Sequence, residues 1–303
     1  LGKLISKLGV NHLLDSLDFQ LLVALFANAR QSYQSLGRRL SLSAPAVRNR
    51  LERLKRNGVL QGYMLTINPS VFGRVGVVLA FRGGFNLKSA QVAVAAPDVS
   101  WVRLKLDGQL FMGLWTRDVD RSIDHMTKIL GIRPSGRALT PHMRHAPISI
   151  TDLSIMNALV DNPIMPFDEL VNSTGLSPKT IRKHLNTLLQ TKTISIEPIL
   201  GALTDSGELV YPLVIAGRVS MDEVRRISGE AEQLHYAVDP PVKHVLCRAS
   251  SLPEVLSKIR MLENVHGVEF VTLSLDREML FSTDLRRSLI REEISKLEKD
   301  RMT

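Results

Sequence analysis

The sequence predicts an α+β chain in which a three-helix unit and a βαββαβ unit alternate, each occurring twice. Three observations predict it. Apolar residues recur at helical spacing through three short stretches before Gly58, and the third stretch is densely basic. The period then falls to two between Val99 and Thr116, on either side of an Asp-Gly turn. Finally, the whole pattern returns without a gap when the chain is displaced by 134 residues, which sets Asp18 on Asp152.

The first helix is read from Leu21, Leu22, Leu25 and Phe26. Gln34 to Leu40 gives a short second helix with Leu36 and Leu40 inward. Ser41-Leu42-Ser43 is a tight turn, and Ser43 caps a third helix whose first turn holds Pro45. Val47, Leu51 and Leu54 form its buried stripe, and Gly58 ends it. Arg48, Asn49, Arg50, Arg53, Lys55 and Arg56 occupy most of the remaining surface. Between Asp15 and Tyr63 eight Lys and Arg face three Asp and Glu, a net +5. A helix, a turn and a basic helix is a shape that a DNA major groove accepts. Arg reads guanine, Asn reads adenine and the flanking cations meet phosphates. Arg48, Asn49 and Arg50 are therefore assigned to base edges. Arg38, Arg39, Arg53, Lys55 and Arg56 are assigned to phosphates, and Ser43 joins the DNA-contact set.

The run from Leu17 to Pro69, with Asn28-Ala29-Arg30, Gly37-Arg38-Arg39-Leu40, Asn49 to Lys55 and Ile67-Asn68-Pro69, resembles the N-terminal winged helix-turn-helix of the Lrp/AsnC (leucine-responsive, feast/famine) transcriptional regulators. The resemblance implies a regulator of transcription whose DNA-binding domain precedes a ferredoxin-like domain for oligomerisation and ligand sensing. It also implies a small effector, often an amino acid, bound beside the glycine turn between the second and third strands of that domain. Here that turn is Asp107-Gly108. As a hairpin the same turn needs its glycine for backbone geometry alone.

Beyond Tyr63, Met64 to Ile67 is expected to complete a wing strand, and Asn68 to Gly73 to link to the next unit. Arg74 to Arg82 reads as a buried strand and Asn86 to Ala96 as a helix of small residues. Val99 to Leu106 alternates, with Trp101, Arg103 and Lys105 on one side, and Gln109 to Thr116 returns as its partner. Asp118 to Leu130 is an amphipathic helix, and Ala138 to Met143 is a last strand. This order is that of a ferredoxin-like unit.

The displacement carries Leu21, Leu22, Leu36, Ser43, Val47 and Leu51 onto Ile155, Met156, Leu170, Ser177, Ile181 and Leu185. Ile150 to Ile199 is thus a second helix-turn-helix. A second βαββαβ set follows between Leu209 and Leu275, with a turn at Asp239-Pro240-Pro241 that lacks the glycine. Thr283 to Met302 is a terminal helix whose apolar stripe docks on its own or a partner subunit. The expected domains are a docking helix (1–14), winged helix 1 (15–69), ferredoxin-like domain 1 (70–146), winged helix 2 (147–203), ferredoxin-like domain 2 (204–280) and a C-terminal helix (281–303). Between Ser149 and Ile199 four Lys and Arg face five Asp and Glu, a net −1. Lys179, Arg182, Lys183 and His184 form a weaker, secondary DNA-binding set, or else this copy is structural.

The net charge of +9 favours a polyanionic partner, here double-stranded DNA. A single cysteine, Cys247, excludes an intramolecular disulfide and fits a reducing cytoplasm, with the nucleoid as the expected location. In its apolar run it reads as a buried strand residue. No apolar stretch reaches the ~20 residues that span a bilayer. The absent initiator Met suggests an upstream start. A homodimer or higher oligomer is expected through the ferredoxin-like domains. No catalytic constellation, cofactor or metal site stands out. The pairs His142/His145 and His235/His244 lack Cys partners or helical His spacing. The sirohaem decarboxylases resemble the same plan, and Arg144-His145 faintly echoes the His and Arg of their tetrapyrrole pocket. The basic third helix argues for the regulator.

Overall fold

The computed structural model describes residues 14–142, 145, 147–201 and 209–302. The expected helix at 1–14 and the Met143 and Arg144 positions lie outside the described residues, Leu14 excepted.

Helices α1 (Ser16–Ala27), α2 (Tyr33–Leu40) and α3 (Ala44–Arg56) close on a core of Leu21, Leu22, Leu36, Val47, Leu51 and Leu54. The predicted cap of α3 forms, with Ser43 accepting from the Ala46 amide at 3.2 Å. Strand β1 (Leu60–Ile67) leaves α3. The next unit runs β2 (Val75–Phe81), α4 (Leu87–Val94), β3 (Val99–Lys105), β4 (Leu110–Thr116), α5 (Val119–Leu130) and β5 (Gly136–Leu139). Its strands pair antiparallel in the order β5-β2-β4-β3, the ferredoxin-like arrangement. Alternation sends Val102 and Leu104 under α4 and α5 and leaves Trp101, Arg103 and Lys105 on the helix-free face.

The second half repeats this. Helices α6 (Ile150–Leu159), α7 (Phe167–Thr174) and α8 (Pro178–Gln190) precede β6 (Ile194–Leu200). Then come β7 (Leu209–Gly217), α9 (Met221–Ser228), β8 (Ala231–Val238), β9 (Pro241–Ala249), α10 (Leu252–Glu263) and β10 (Val268–Leu273), in the sheet order β10-β7-β9-β8. Cys247 is buried in β9, where desolvation pushes its thiol up to about 12.

Two features differ from the expectation. The expected wing strand forms but finds its partner in the other copy: β1 pairs antiparallel with β6, from Leu60 opposite Leu200 to Ile67 opposite Ile194. Each helix-turn-helix supplies one strand, and the two copies complete each other in a ribbon. Leu65 and Ile67 consequently enter the core of the second copy, and Leu200 packs against the core of the first. The second difference is an unanticipated strand, β11 (Asp276–Phe281), which crosses back and pairs with β3, so that the first sheet has five strands. A reciprocal bridge joins Leu139 to Asp239. One chain therefore folds as an internal pseudo-dimer. The terminal helix α11 (Thr283–Met302) docks on its own chain, burying Leu289 and Ile290 against the second helix-turn-helix core. Arg286 fastens it. Its guanidinium donates to the carbonyls of Leu65, Ser100 and Ser282, and burial lowers its pKa to about 10.

Candidate nucleic-acid interface

The turn between α2 and α3 is tight because Gly37 lets the chain fold against itself. A Cβ there would lie 2.4 Å from the Leu42 carbonyl oxygen. Ser41 takes the left-handed conformation (φ 55°) and Ser43 caps α3. The 100° step of the helix then sorts the side chains of α3. Val47, Leu51 and Leu54 face the core, while Arg48, Asn49, Lys55 and Arg56 are exposed, together with Arg38 and Arg39 of α2 and Ser43.

Arg50 and Arg53 are half-buried and face α1 instead. Arg50 donates to both oxygens of Asp15 (2.9 and 2.8 Å) and to Asp18 (2.8 Å), and Arg53 donates to Asp18 at 2.5 Å. Asp15 and Asp18 form the capping box of α1, so the same carboxylates hold the start of α1 and the side of α3. Burial pushes the Asp15 carboxyl up, but hydrogen bonds from Arg50 and the Asp18 amide, with the guanidinium charges, hold it below its ordinary value. The sequence did not single out Asp15 and Asp18. Their signal was acidic N-cap spacing on α1 with Arg at i and i+3 on α3.

In the second copy the displacement sets His184 on Arg50 and Asp152 on Asp18. His184 Nδ1 lies 2.8 Å from Asp152 Oδ1, one contact where the first copy has four. Lys179, Arg182 and Lys183 are exposed, with the Arg182 guanidinium 4.9 Å over the Phe167 ring. The two copies are also latched: Arg30 donates to the carbonyls of Pro163 (2.8 Å) and Met165 (2.9 Å). Asp107 and Gly108 sit at the β3–β4 turn. Gly108 has φ +80°, and a Cβ there would lie 3.2 Å from the Gly83 carbonyl oxygen, so backbone geometry accounts for this glycine. Among the described residues no group of three His, Cys, Asp or Glu is placed to hold a metal, and no helix is long and apolar enough to cross a membrane.

The family model of the AsnC-type helix-turn-helix domain matches residues 14–55. The chain carries an AsnC-type helix-turn-helix domain. A separate model, for a winged helix-turn-helix DNA-binding domain, matches residues 148–192. The AsnC-type domain and the separate winged helix-turn-helix domain together match the Lrp/AsnC architecture. The AsnC-type region is 41% identical over 61 residues to the transcriptional regulator Ptr1 of Methanocaldococcus jannaschii, covering 20% of this chain and 41% of that protein. It is 34% identical over 82 residues to the regulatory protein AsnC of Escherichia coli, covering 27% of this chain and 51% of that one. The chain thus spans about half or less of the length of the curated relatives it matches. Among solved structures, the siroheme decarboxylase NirDL aligns over 92% of this chain and 99% of its own, at 12% identity and a TM-score of 0.48. AsnC of Escherichia coli aligns over 46% and 97%, at 17% identity and 0.30. Likeness at these levels carries no argument about function.

Proposed function

We propose that the chain is a sequence-specific DNA-binding transcriptional regulator that reads the major groove with α3. The observation that supports this reading is the sorting of the α3 cations. Arg50 and Arg53 are held half-buried by the carboxylates of α1, Lys55 stays exposed with only a surface contact to Glu52 at 3.3 Å, and Arg48 and Arg56 stand exposed beside Arg38 and Arg39. Arg48 and Asn49 take base edges, because a guanidinium donates bidentately to guanine and a carboxamide pairs with adenine. Arg38, Arg39, Lys55 and Arg56 neutralise phosphates, and Ser43 offers the helix N-terminus to the backbone. Arg50 and Arg53 act as struts that aim α3.

Helix α8 adds a weaker contact through Lys179, Arg182 and Lys183, because its unit has a net charge of −1. His184 is its strut. The latch at Arg30 and the β1–β6 ribbon hold both helix-turn-helix units in one frame. Residues 15–69 and 147–203 are the DNA-facing units in this reading. The ferredoxin-like units, 70–146 and 204–280, form the body through which further copies assemble.

The test is fluorescence anisotropy on a duplex enriched by the wild type. Arg48→Ala costs about 1–3 kcal/mol and relaxes preference at one base pair, whereas Arg56→Ala weakens all duplexes alike and lowers the salt slope by about one. Equal effects of the two substitutions on every duplex would contradict the assignment.

A further inference from the structure

The helix-free faces of the two ferredoxin-like sheets already meet inside one chain. Arg103 of β3 and Met279 of β11 line one cavity with Pro212, His244 and Leu246 of the second sheet. A further copy therefore has to use another surface, and the sheet edges differ in what they offer. The β3 edge is covered by β11, whose Asp276 accepts from Lys105 (2.5 Å) and Arg103 (3.2 Å). The β5 edge is four residues long, carries the Arg137–Asp120 pair (3.4 Å) and meets Asp239 through Leu139. Strand β8 is bulged between Gln233 and His235 and ends against that same bridge. Short strands, charges and bulges of this kind keep an edge from pairing.

The outer edge of β10 has less protection. Among the described residues no strand pairs with it, and Val268–Leu273 holds no Lys, Arg or Pro. Its one irregularity lies between Val268 and Phe270, so residues 270–273 form a regular ladder on β7. The Ser274 N–H donates to the Pro212 carbonyl. Alternation along an antiparallel pair then turns Thr272 inward and the N–H and C=O of Val271 and Leu273 outward. Apolar side chains flank this open row on both faces of the sheet. Phe270, next to the buried Val271, lies on the helix-free face and is half exposed. On the other face, Lys258 of α10 reaches back to the Arg248 carbonyl of β9, and Met261 faces α9. The 100° helical step puts Leu252 and Leu256 on the opposite flank of α10, toward the β10 edge, where both are half exposed.

We propose that β10 is a dimerisation edge, at which a second copy of this chain adds its own β10 antiparallel across a twofold axis at Thr272. This register uses both outward residues of each copy and stops short of the irregularity. Val271 of each copy exchanges its two hydrogen bonds with Leu273 of the other, and two four-stranded sheets become one of eight strands. The occupant is a second copy because the edge is self-complementary. About that axis open donors meet open acceptors, and the Leu252 and Leu256 flanks of the two α10 helices come side by side. The one charge of the strand, Glu269, stands away from the axis in each copy, so like charges do not face each other. Such pairing rests on the reading above that further copies assemble through the ferredoxin-like units, and fixes the edge they use. The dimer carries two α3 helices, one from each chain.

The test is sedimentation velocity of the full chain over a range of concentrations, without DNA, on the wild type, Leu256→Lys and Phe270→Lys. The wild type is expected to pass from monomer to dimer as concentration rises. Both substituted side chains are half exposed, so each variant keeps the wild-type urea midpoint. Each should weaken dimerisation about tenfold or more, because pairing would desolvate the added charge. Thr272→Cys is expected to give a disulfide-linked dimer on mild oxidation, since facing residues of a non-hydrogen-bonded pair approach to about 4.5 Å. The chain's own Cys247 is buried and stays out of this reaction. A chain that is monomeric at every concentration, its edge left to a strand of a different protein, would overturn this dimer and the assembly reading together. An oligomer unaffected by both lysine variants, or one in which Thr272→Cys does not cross-link, would overturn the β10 edge alone and leave assembly elsewhere on the ferredoxin-like units.

Discussion

Asp18 is fully buried and accepts from two arginines of α3, while Arg48, two residues before the first of them, makes no such contact. Removing a buried partner leaves uncompensated charge, so Asp18→Ala should lower stability by about 3 kcal/mol. Arg48→Ala should stay within about 0.5 kcal/mol of the wild type. Urea denaturation of the two variants compares them, and similar midpoints would remove the strut. His244 gives a pH signature. Its folded pKa lies below the ordinary value of 6.5, because burial disfavours the imidazolium. The unfolded chain therefore binds more protons below pH 6.5. The penalty is absent above that pH and grows as pH falls toward the folded value. The wild type should lose more stability between pH 7.5 and 5.5 than His244→Leu does, by urea midpoint at each pH. Parallel losses would show that the imidazole is not held neutral.

At the scale of elements the decisive feature is the ribbon of β1 and β6. Leu65 is 2% exposed and lies in the core of the second copy, so Leu65→Ala should cost about 2–4 kcal/mol in global unfolding, measured by calorimetry. A cost below 1 kcal/mol would mean that the two copies do not share a core. This exchange was not legible in the sequence. Met64 to Ile67 has the period of a strand, but nothing local distinguishes a hairpin partner from one in the distant copy. The crossing strand β11 escaped for a related reason: Asp276 to Phe281 is short and charged, and its partner β3 is far away in sequence. Elements set by local chemistry were legible: α3 from its cap, proline and apolar stripe, β3 and β4 from Asp107-Gly108, and α11 from its stripe. The candidate interface was legible in part. Composition marked α3 as basic, but only the packing of α1 against it separates Arg50 and Arg53, which serve the fold, from Arg48 and Asn49. The pairing of Arg103 with Asp276 required β11 and lay beyond pattern reading.

At the scale of the molecule, a duplication has placed in one chain what two subunits of a simpler protein would contribute. The halves are tied at β1–β6, at β11–β3, at Arg30 and at Arg286. They are not equivalent: the first copy has a net +5 and a fourfold strut, the second a net −1 and a single His184–Asp152 contact. Under the proposed function, such asymmetry suits one principal reader and one supporting surface, the tethered second contact adding to affinity without binding strongly alone. The most direct measurement is a genomic-fragment binding selection at two salt concentrations, with the wild type beside an Arg48→Ala/Asn49→Ala variant. The account predicts a discrete motif enriched by the wild type at both salts and lost in the variant, whose folding is unchanged. Motif-free binding that fades with salt equally for both proteins would contradict it.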